Sequence, residues 1–451
     1  MGIALQSQYV PSGDASRGHV RDLVPDVARV DMSIGALSSC KVRGYRVRMS
    51  NSLIPPSITG MDSSFPPGGS VLDHAFGQSD PYTLGVEDEY MLLDGESFDL
   101  VQHIDTVLAA VAGHELEPRI TAELMQSVLE VATPVCHTPA GVRQQLLRIR
   151  GYVCDVAREK GLRVGSAGTH PFSLFERQRI TSKDRYRALV DQMQYIARRE
   201  LIFGMHVHVA CDDAEKAIQV VNALIAHLHE LVALSASSPF WRGEPTGLRS
   251  SRHMVFAAFP RSGPPPRFRD YSDYAQVVNQ LEKTGCIQDY THIWWDIRLH
   301  PRLGTIEIRI CDAVTQLDDV IAITAYCQAL VKHYAELVER GEEIPSFHRI
   351  LTTENKWLAA RYGLSAPVMD LHTGKRNRIP VAAIIRRTLA TLEPHARELG
   401  SDEELAGIGE ILRRGNGADR QLHVYHGNRD IVEVVREIAE ATEVAPVDSV
   451  A

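Results

Sequence analysis

The chain has 451 residues, 44% of them apolar and 23% charged, with a formal net charge of −9. That length and composition give a globular core in one large domain or a few ordinary ones, and the acidic balance argues against nucleic acid as the main partner. Seven scattered cysteines without a CxxC pair form neither a disulfide framework nor a zinc site, which is a reduced, cytoplasmic pattern. No apolar run reads as long enough to cross a bilayer and no signal-peptide core is present, so no membrane partner is expected.

Residues 1–80 are rich in Ser, Gly and Pro, as in PSGDASRG, NSLIPPSITG and SSFPPGGS. They are expected to form a disordered extension ahead of a catalytic domain at 81–445. The basic run KVRGYRVR, Lys41 to Arg48, reads as a solvated charge run.

Tyr82 to Asp94, YTLGVEDEYMLLD, alternates apolar and polar residues between Pro81 and Gly95 and reads as a strand. Residues two apart share a face, so Gly85, Glu87, Glu89 and Met91 point one way and Val86, Asp88 and Tyr90 the other. Two adjacent carboxylates on a sheet face need a cation, and a hard divalent ion with oxygen ligands is the natural one.

Phe98 to Leu116 has helical spacing. SVLEVATPV is β-branched and ends at proline, so a strand is expected there, with Glu130 beside Val128 and Ala132 on one face and Glu123 in the approach. Gly141 to Lys160 reads as an amphipathic helix and Leu162 to Gly168 as a strand leading into GTHPF. Arg177 to Arg199 reads as helical in its second half. FGMHVHVAC, Phe203 to Cys211, places Gly204, His206 and His208 on one face and Met205, Val207 and Val209 on the other. A long helix follows over Asp212 to Ser235, capped by Asp212 or Asp213.

Ser237 to Arg252 is a turn-rich loop carrying Arg242, Arg249 and Arg252. After a helix over Tyr271 to Thr284, Ile293–Leu299 and Thr305–Cys311 read as a hairpin. In its second strand Glu307, Arg309 and Cys311 are expected on one face, with Ile306, Ile308 and Ile310 on the other. Helices are expected over Asp318–Arg340, Glu354–Tyr362, Val381–Arg397, Asp402–Arg414 and Asp430–Thr442.

Four strands thus repeat one design: an apolar reverse, and a wet face bearing Glu87 and Glu89, Glu130, His206 and His208, or Glu307 and Arg309. Taken singly, each is the ordinary pattern of a solvated strand. Together they describe a mainly antiparallel sheet whose wet face is a floor for a divalent-metal site.

In order, GVEDEY, ELMQSVLEVATP, GTHPF, GMHVHV, SSPFWRGEPTG, GTIEIRICD and GNGADRQ resemble the motifs of type 2 glutamate–cysteine ligases. These carboxylate–amine ligases belong to the glutamine synthetase superfamily. The resemblance runs from Tyr82 to the C-terminal helices. It implies an α+β, glutamine-synthetase-like catalytic fold, with one sheet face lining the active site and helices on the other. It also implies ATP as co-substrate and Mg²⁺ or Mn²⁺ as cofactor. Carried over by motif, Glu87, His206 and Glu307 would hold the ion bridging the nucleotide phosphates. Glu89, Glu123 and Glu130 would hold the ion nearer the substrate. His208 would lie beside the nucleotide, and Arg309, with Glu307, would serve catalysis at the transferring phosphoryl group. Arg242 and Arg252 would grip phosphate or substrate carboxylate, and Thr169 and His170 would line the acceptor side.

The implied partners are small-molecule amino acid and amine substrates, with a homo-oligomer left open. The acid would be L-glutamate and the amine nominally L-cysteine. No Walker A motif is present. A metal-dependent amide hydrolase on the same face, a small-molecule kinase and a non-catalytic nucleotide- or metal-binding protein remain as alternatives.

Overall fold

The computed structural model describes residues 40–42, 45–47, 73–371, 373 and 377–444. Met1–Pro66 and Pro67–Ala451 are separate units. In the first, Cys40–Val42 and Tyr45–Val47 pair antiparallel within the basic run. The rest of the expected N-terminal disorder, up to residue 72, lies outside the described residues. Downstream of it, Phe76 is buried, and the Ala75 and Gly77 amides donate to Pro301 and Cys211. These residues therefore belong to the sheet-bearing unit. Gly304, at φ 64°, permits the approach: a Cβ there would sit 2.4 Å from the Ala75 carbonyl oxygen.

The second unit is built on a seven-stranded antiparallel sheet. Its strands are β1 Leu84–Asp94, β2 Ile120–Ala122, β3 Val128–Ala132, β4 Leu162–Gly165, β5 Gly204–Ala210, β6 Ile297–His300 and β7 Thr305–Asp312. Their order is β6-β7-β5-β1-β3-β2, with β4 pairing the far end of β1. The register aligns the wet face: Glu87 opposes His206, Glu89 opposes Glu130, and Glu307 opposes His208.

The helices are α1 Ile104–Val111, α2 Pro139–Glu159, α3 Asp184–Met193, α4 Tyr195–Arg198, α5 Ala214–Leu224, α6 Leu228–Ser235 and α7 Ser251–Phe256. Then come α8 Tyr271–Lys283, α9 Leu317–Glu339, α10 Arg349–Tyr362, α11 Val381–Leu399, α12 Asp402–Arg414, α13 Gly417–Asn428 and α14 Ile431–Thr442. The apolar sheet face is covered by α2, α5, α6 and α9. Helix α9 is buried almost all round, because α2, α5, α11 and α12 enclose its other sides. The expected α+β layering is therefore present.

One polar pair is locked into that apolar layer. Asp88, on the back of β1, accepts from the Arg150 guanidinium of α2 at 2.9 Å, and Arg150 also donates to Tyr90 Oη and Thr315 O. Both charges are fully buried, an arrangement that tolerates removal of neither partner alone.

Several expected elements differ in extent. The helix expected from Phe98 begins only at Ile104, since Phe98 takes a positive φ of 57°, which a helix cannot hold. The polar helix near 177–199 is divided by Gln194 at φ 52°. Asp213 caps α5 by accepting from Lys216 N, and a 3₁₀ turn at Ile225–His227 separates α5 from α6. That span, Ala214–Ser235, is long and apolar enough by composition to cross a membrane, contrary to the sequence reading, but it is mostly buried inside the protein. GNGADRQ opens a helix: Asn416 and Asp419 form a reciprocal capping box for α13.

Strand β7 carries the most consequential difference. Ile308 opposes Val207 and Cys311 opposes Met205, so Arg309 and Ile310 together face one residue, His206. This bulge reverses the alternation beyond it. Cys311 therefore lies in the apolar core with Met205 instead of beside Glu307, and Asp312 comes opposite Gly204.

Candidate active site

The wet sheet face forms the floor of a cleft lined by Glu87, Glu89, Glu123, Glu130, His206, Arg252 and Arg309, with Glu307 buried beneath. Its far wall is aromatic, with Phe256, Phe259 and Trp294.

At one end, Glu87, His206 and Glu307 each present a ligand atom within 4.8 Å of the others. Glu87 Oε2 lies 2.9 Å from His206 Nδ1, and Glu87 Oε1 lies 3.4 Å from His208 Nε2. The hydroxyl of Thr305 fixes His208 through Nδ1 at 3.0 Å. Arg298, directly across the hairpin from Glu307, grips its carboxylate with Nε at 2.6 Å and a terminal nitrogen at 3.2 Å. Arg309 donates to the same carboxylate. Burial would push both carboxyls up, but the neighbouring charges and hydrogen-bond donors prevail. His208 and His206 hold Glu87 well below the usual carboxylate range, and Arg298 and Arg309 do the same for Glu307. His206 is pushed down to about 4, chiefly by burial and then by Arg309, so it is a neutral imidazole able to ligate.

At the other end, Glu89 accepts from Gly204 N at 2.6 Å, Glu123 from Leu124 N at 2.7 Å, and Glu130 from Thr121 Oγ1 at 3.2 Å. Burial, then the charge of Glu123, pushes Glu89 up to about 8. Burial raises Glu123 as well. Burial, reinforced by the charges of Glu87, Glu123 and Glu89, carries Glu130 well above the usual range. Arg252, Arg185 and Arg309 act on Glu89 and Glu123 without offsetting their burial, and among the described residues none of the three carboxylates at this end has an ion pair.

Arg252 lines the same cleft, and its charge acts on both Glu89 and Glu200. Its guanidinium donates to the Ile310 and Arg309 carbonyls at 3.2 and 3.3 Å. It also presses on Gly204, where a Cβ would lie 2.3 Å from a guanidinium nitrogen. The loop behind it is pinned by Asp312, which accepts from Ser237 N, Ser238 Oγ and Ser250 Oγ at 3.0, 2.7 and 2.8 Å. Ser238 Oγ in turn accepts from Arg252 N at 3.1 Å.

Of the sequence candidates, Glu87, Glu89, Glu123, Glu130, His206, His208, Arg252, Glu307 and Arg309 converge. Three others do not line the cleft. Arg242 pairs with Glu176 at 2.7 Å on the surface. Thr169 Oγ1 donates to the Phe240 carbonyl at 2.8 Å. The His170 ring is saturated by Phe98 O and by the Phe172 and Ser173 amides. These contacts engage Thr169 and His170 within the fold and tie one nitrogen of the exposed Arg242, and all three stand apart from the cleft floor. Arg298, Glu200 and His300 line the cleft and escaped the sequence reading. Arg298 was within reach, since the hairpin register sets it opposite Glu307.

Residues 83–440 match the glutamate-cysteine ligase family 2 (GCS2). The chain belongs to this family. It is 40% identical over 366 residues to "Putative glutamate–cysteine ligase 2-1" of Rubrobacter xylanophilus, covering 81% of this chain and 96% of that one. It is 41% identical over 361 residues to "Putative glutamate–cysteine ligase 2" of Solibacter usitatus, covering 80% and 93%. Its fold is similar to a glutamate–cysteine ligase from Francisella tularensis solved in complex with AMP. The TM-score there is 0.59 at 12% identity, over 82% of this chain and 91% of that one. A bifunctional glutathione synthetase from Pasteurella multocida matches with a TM-score of 0.58 at 14% identity, over 80% of this chain and 53% of that one. This member of glutamate–cysteine ligase family 2 is accordingly an ATP-dependent ligase that forms C–N bonds.

The donor set of the family 2 cleft suits hard divalent ions. Two carboxylates and one neutral imidazole converge at one end. Three further carboxylates crowd the other end with mutual repulsion to be relieved.

Proposed function

We propose that this ligase activates the γ-carboxylate of L-glutamate with ATP and joins it to an amine, with L-cysteine as the nominal acceptor. The convergence of Glu87, His206 and Glu307 beside Arg309 carries this reading. A carboxylate oxygen attacks the γ-phosphorus of ATP and ADP leaves. The amine nitrogen then attacks the acyl carbon, phosphate leaves, and the ammonium proton passes to solvent.

Bringing two anions together is the obstacle, and electrostatic stabilisation is the remedy. Glu87, His206 and Glu307 would hold one Mg²⁺ or Mn²⁺, and Glu89, Glu123 and Glu130 another. Bound there, the ions neutralise phosphate and carboxylate charge. Arg309 offers a planar, permanently charged fork to the equatorial phosphoryl oxygens, which lysine does not reproduce. Arg298 holds Glu307 ionised and correctly turned. His208, braced by Thr305, faces the nucleotide side. Arg252 takes the substrate carboxylate.

The test is incubation with ATP, Mg²⁺ and L-glutamate against a panel of amines, following ADP and product mass. The reading requires ADP formation and a γ-glutamyl amide, both dependent on the amine. Amide cleavage without ATP would make the protein a hydrolase, and release of a phosphorylated acid a kinase.

A further inference from the structure

Glu200 lies just past Arg199, the C-cap of α4, and lines the same cleft. Both of its carboxylate oxygens are buried, and neither has a hydrogen-bond partner among the described residues. A buried carboxylate without donors is costly and seldom retained. Nearby Arg252 is 5% exposed, and its Nε is buried and without a partner. The neighbouring Arg199 spends one terminal nitrogen on the Val255 carbonyl at 3.1 Å. Burial above all pushes Glu200 up to about 8, against the charges of Arg252 and Arg199. The cleft thus holds unmet acceptors on Glu200 and an unmet donor on Arg252, both lining one cavity.

An ammonium carries several N–H donors and a positive charge, and a carboxylate the complementary acceptors. An α-amino acid head group presents both on one carbon. Glu200 and Arg252 match it in sign and in hydrogen-bonding role. We propose that they form a subsite for the zwitterionic head group of an α-amino acid, the ammonium on Glu200 and the carboxylate on Arg252. This deepens the ligase reading and rests on it. The head group comes from the acid that is phosphorylated or from the amino acid acceptor. Glu200 lies outside the motifs that carry the family resemblance.

The experiment measures equilibrium binding by calorimetry to the full chain with Mg²⁺ and a non-hydrolysable ATP analogue. L-Glutamate is compared with glutarate, which lacks only the ammonium, in wild type and Glu200→Gln. L-Cysteine is compared with 3-mercaptopropionate in the same way. Wild type should prefer the ammonium-bearing ligand of one pair by about tenfold or more. Glu200→Gln should erase that preference by weakening the ammonium ligand and leaving its analogue unchanged. Erasure in the glutamate pair assigns the subsite to the acid, and erasure in the cysteine pair to the acceptor. Preferences in both pairs that survive Glu200→Gln, or are absent from wild type, overturn the proposal.

Thermal unfolding supplies the control. Glu200→Gln removes a buried carboxyl without hydrogen-bond partners, so its unfolding temperature should equal or exceed that of wild type. A marked drop would make Glu200 a structural residue and overturn the subsite. ADP formation on the amine panel is scored separately, so a surviving preference with active ligation rejects the subsite alone. Absence of ligation in wild type rejects both readings.

Discussion

The two ends of the cleft solve the same problem in opposite ways. Around Glu87 and Glu307, each carboxylate already has an imidazole or guanidinium in contact, and both stay ionised despite burial. Around Glu89, Glu123, Glu130 and Glu200, burial outweighs the nearby guanidinium charges, and all four carboxyls are pushed up. The first end is a prepared ligand set. The second is an electrostatic deficit that a cation, from a metal or a substrate ammonium, would complete.

The strongest way to break this comparison is to remove a ligand from the prepared end. Glu87→Gln or Glu307→Gln should lower ADP formation by about 10³-fold or more with an unchanged circular dichroism spectrum. Turnover like wild type in either variant would remove that end from catalysis. Next in size, Arg309→Lys should cut turnover by about 10²-fold while nucleotide affinity changes little. Equal losses in both would show that Arg309 only binds.

The two ends should also be separable by pH. The folded-state values of Glu89 and Glu200 are raised from 4.5 to about 8, so between those values the folded chain binds more protons than the unfolded. Their contribution to stability is complete below the ordinary value and is lost as pH rises through about 8. Glu87 and Glu307 are lowered, so their contribution is present above the ordinary value and is lost on acidification. Metal-free protein should therefore lose thermal stability from both sides. Added Mg²⁺ should reduce the loss on both sides, and an unchanged pH profile with Mg²⁺ would count against a cation at either end. The smallest effect is expected outside the cleft. Arg242→Ala breaks an exposed pair with Glu176, so KM for glutamate should stay within about twofold. A larger rise would restore Arg242 as a substrate contact.

Much of this arrangement is legible in the residue order because strands repeat every two residues. Glu87, Glu89, Glu130, His206 and Glu307 fall on wet faces by counting alone, and their apolar reverses place them over helices. Counting fails where the backbone departs from its period. The bulge at Arg309–Ile310 carries Cys311 to the core, and neither residue is a glycine that would mark it. Phe98 takes a positive φ that nothing in its side chain announces. The helix α13 goes unassigned because Gly415 and Gly417 flank Asn416, although Asp419 three places on completes a cap. Glu200 lies in an irregular connection, where no period assigns a direction.

The central claim, that cations complete both ends of the cleft, is tested most directly by Mn²⁺ titration of the full chain followed by electron paramagnetic resonance. Wild type should bind Mn²⁺ in two classes, one lost in Glu87→Gln and the other in Glu130→Gln. Undiminished binding in both variants would contradict the account.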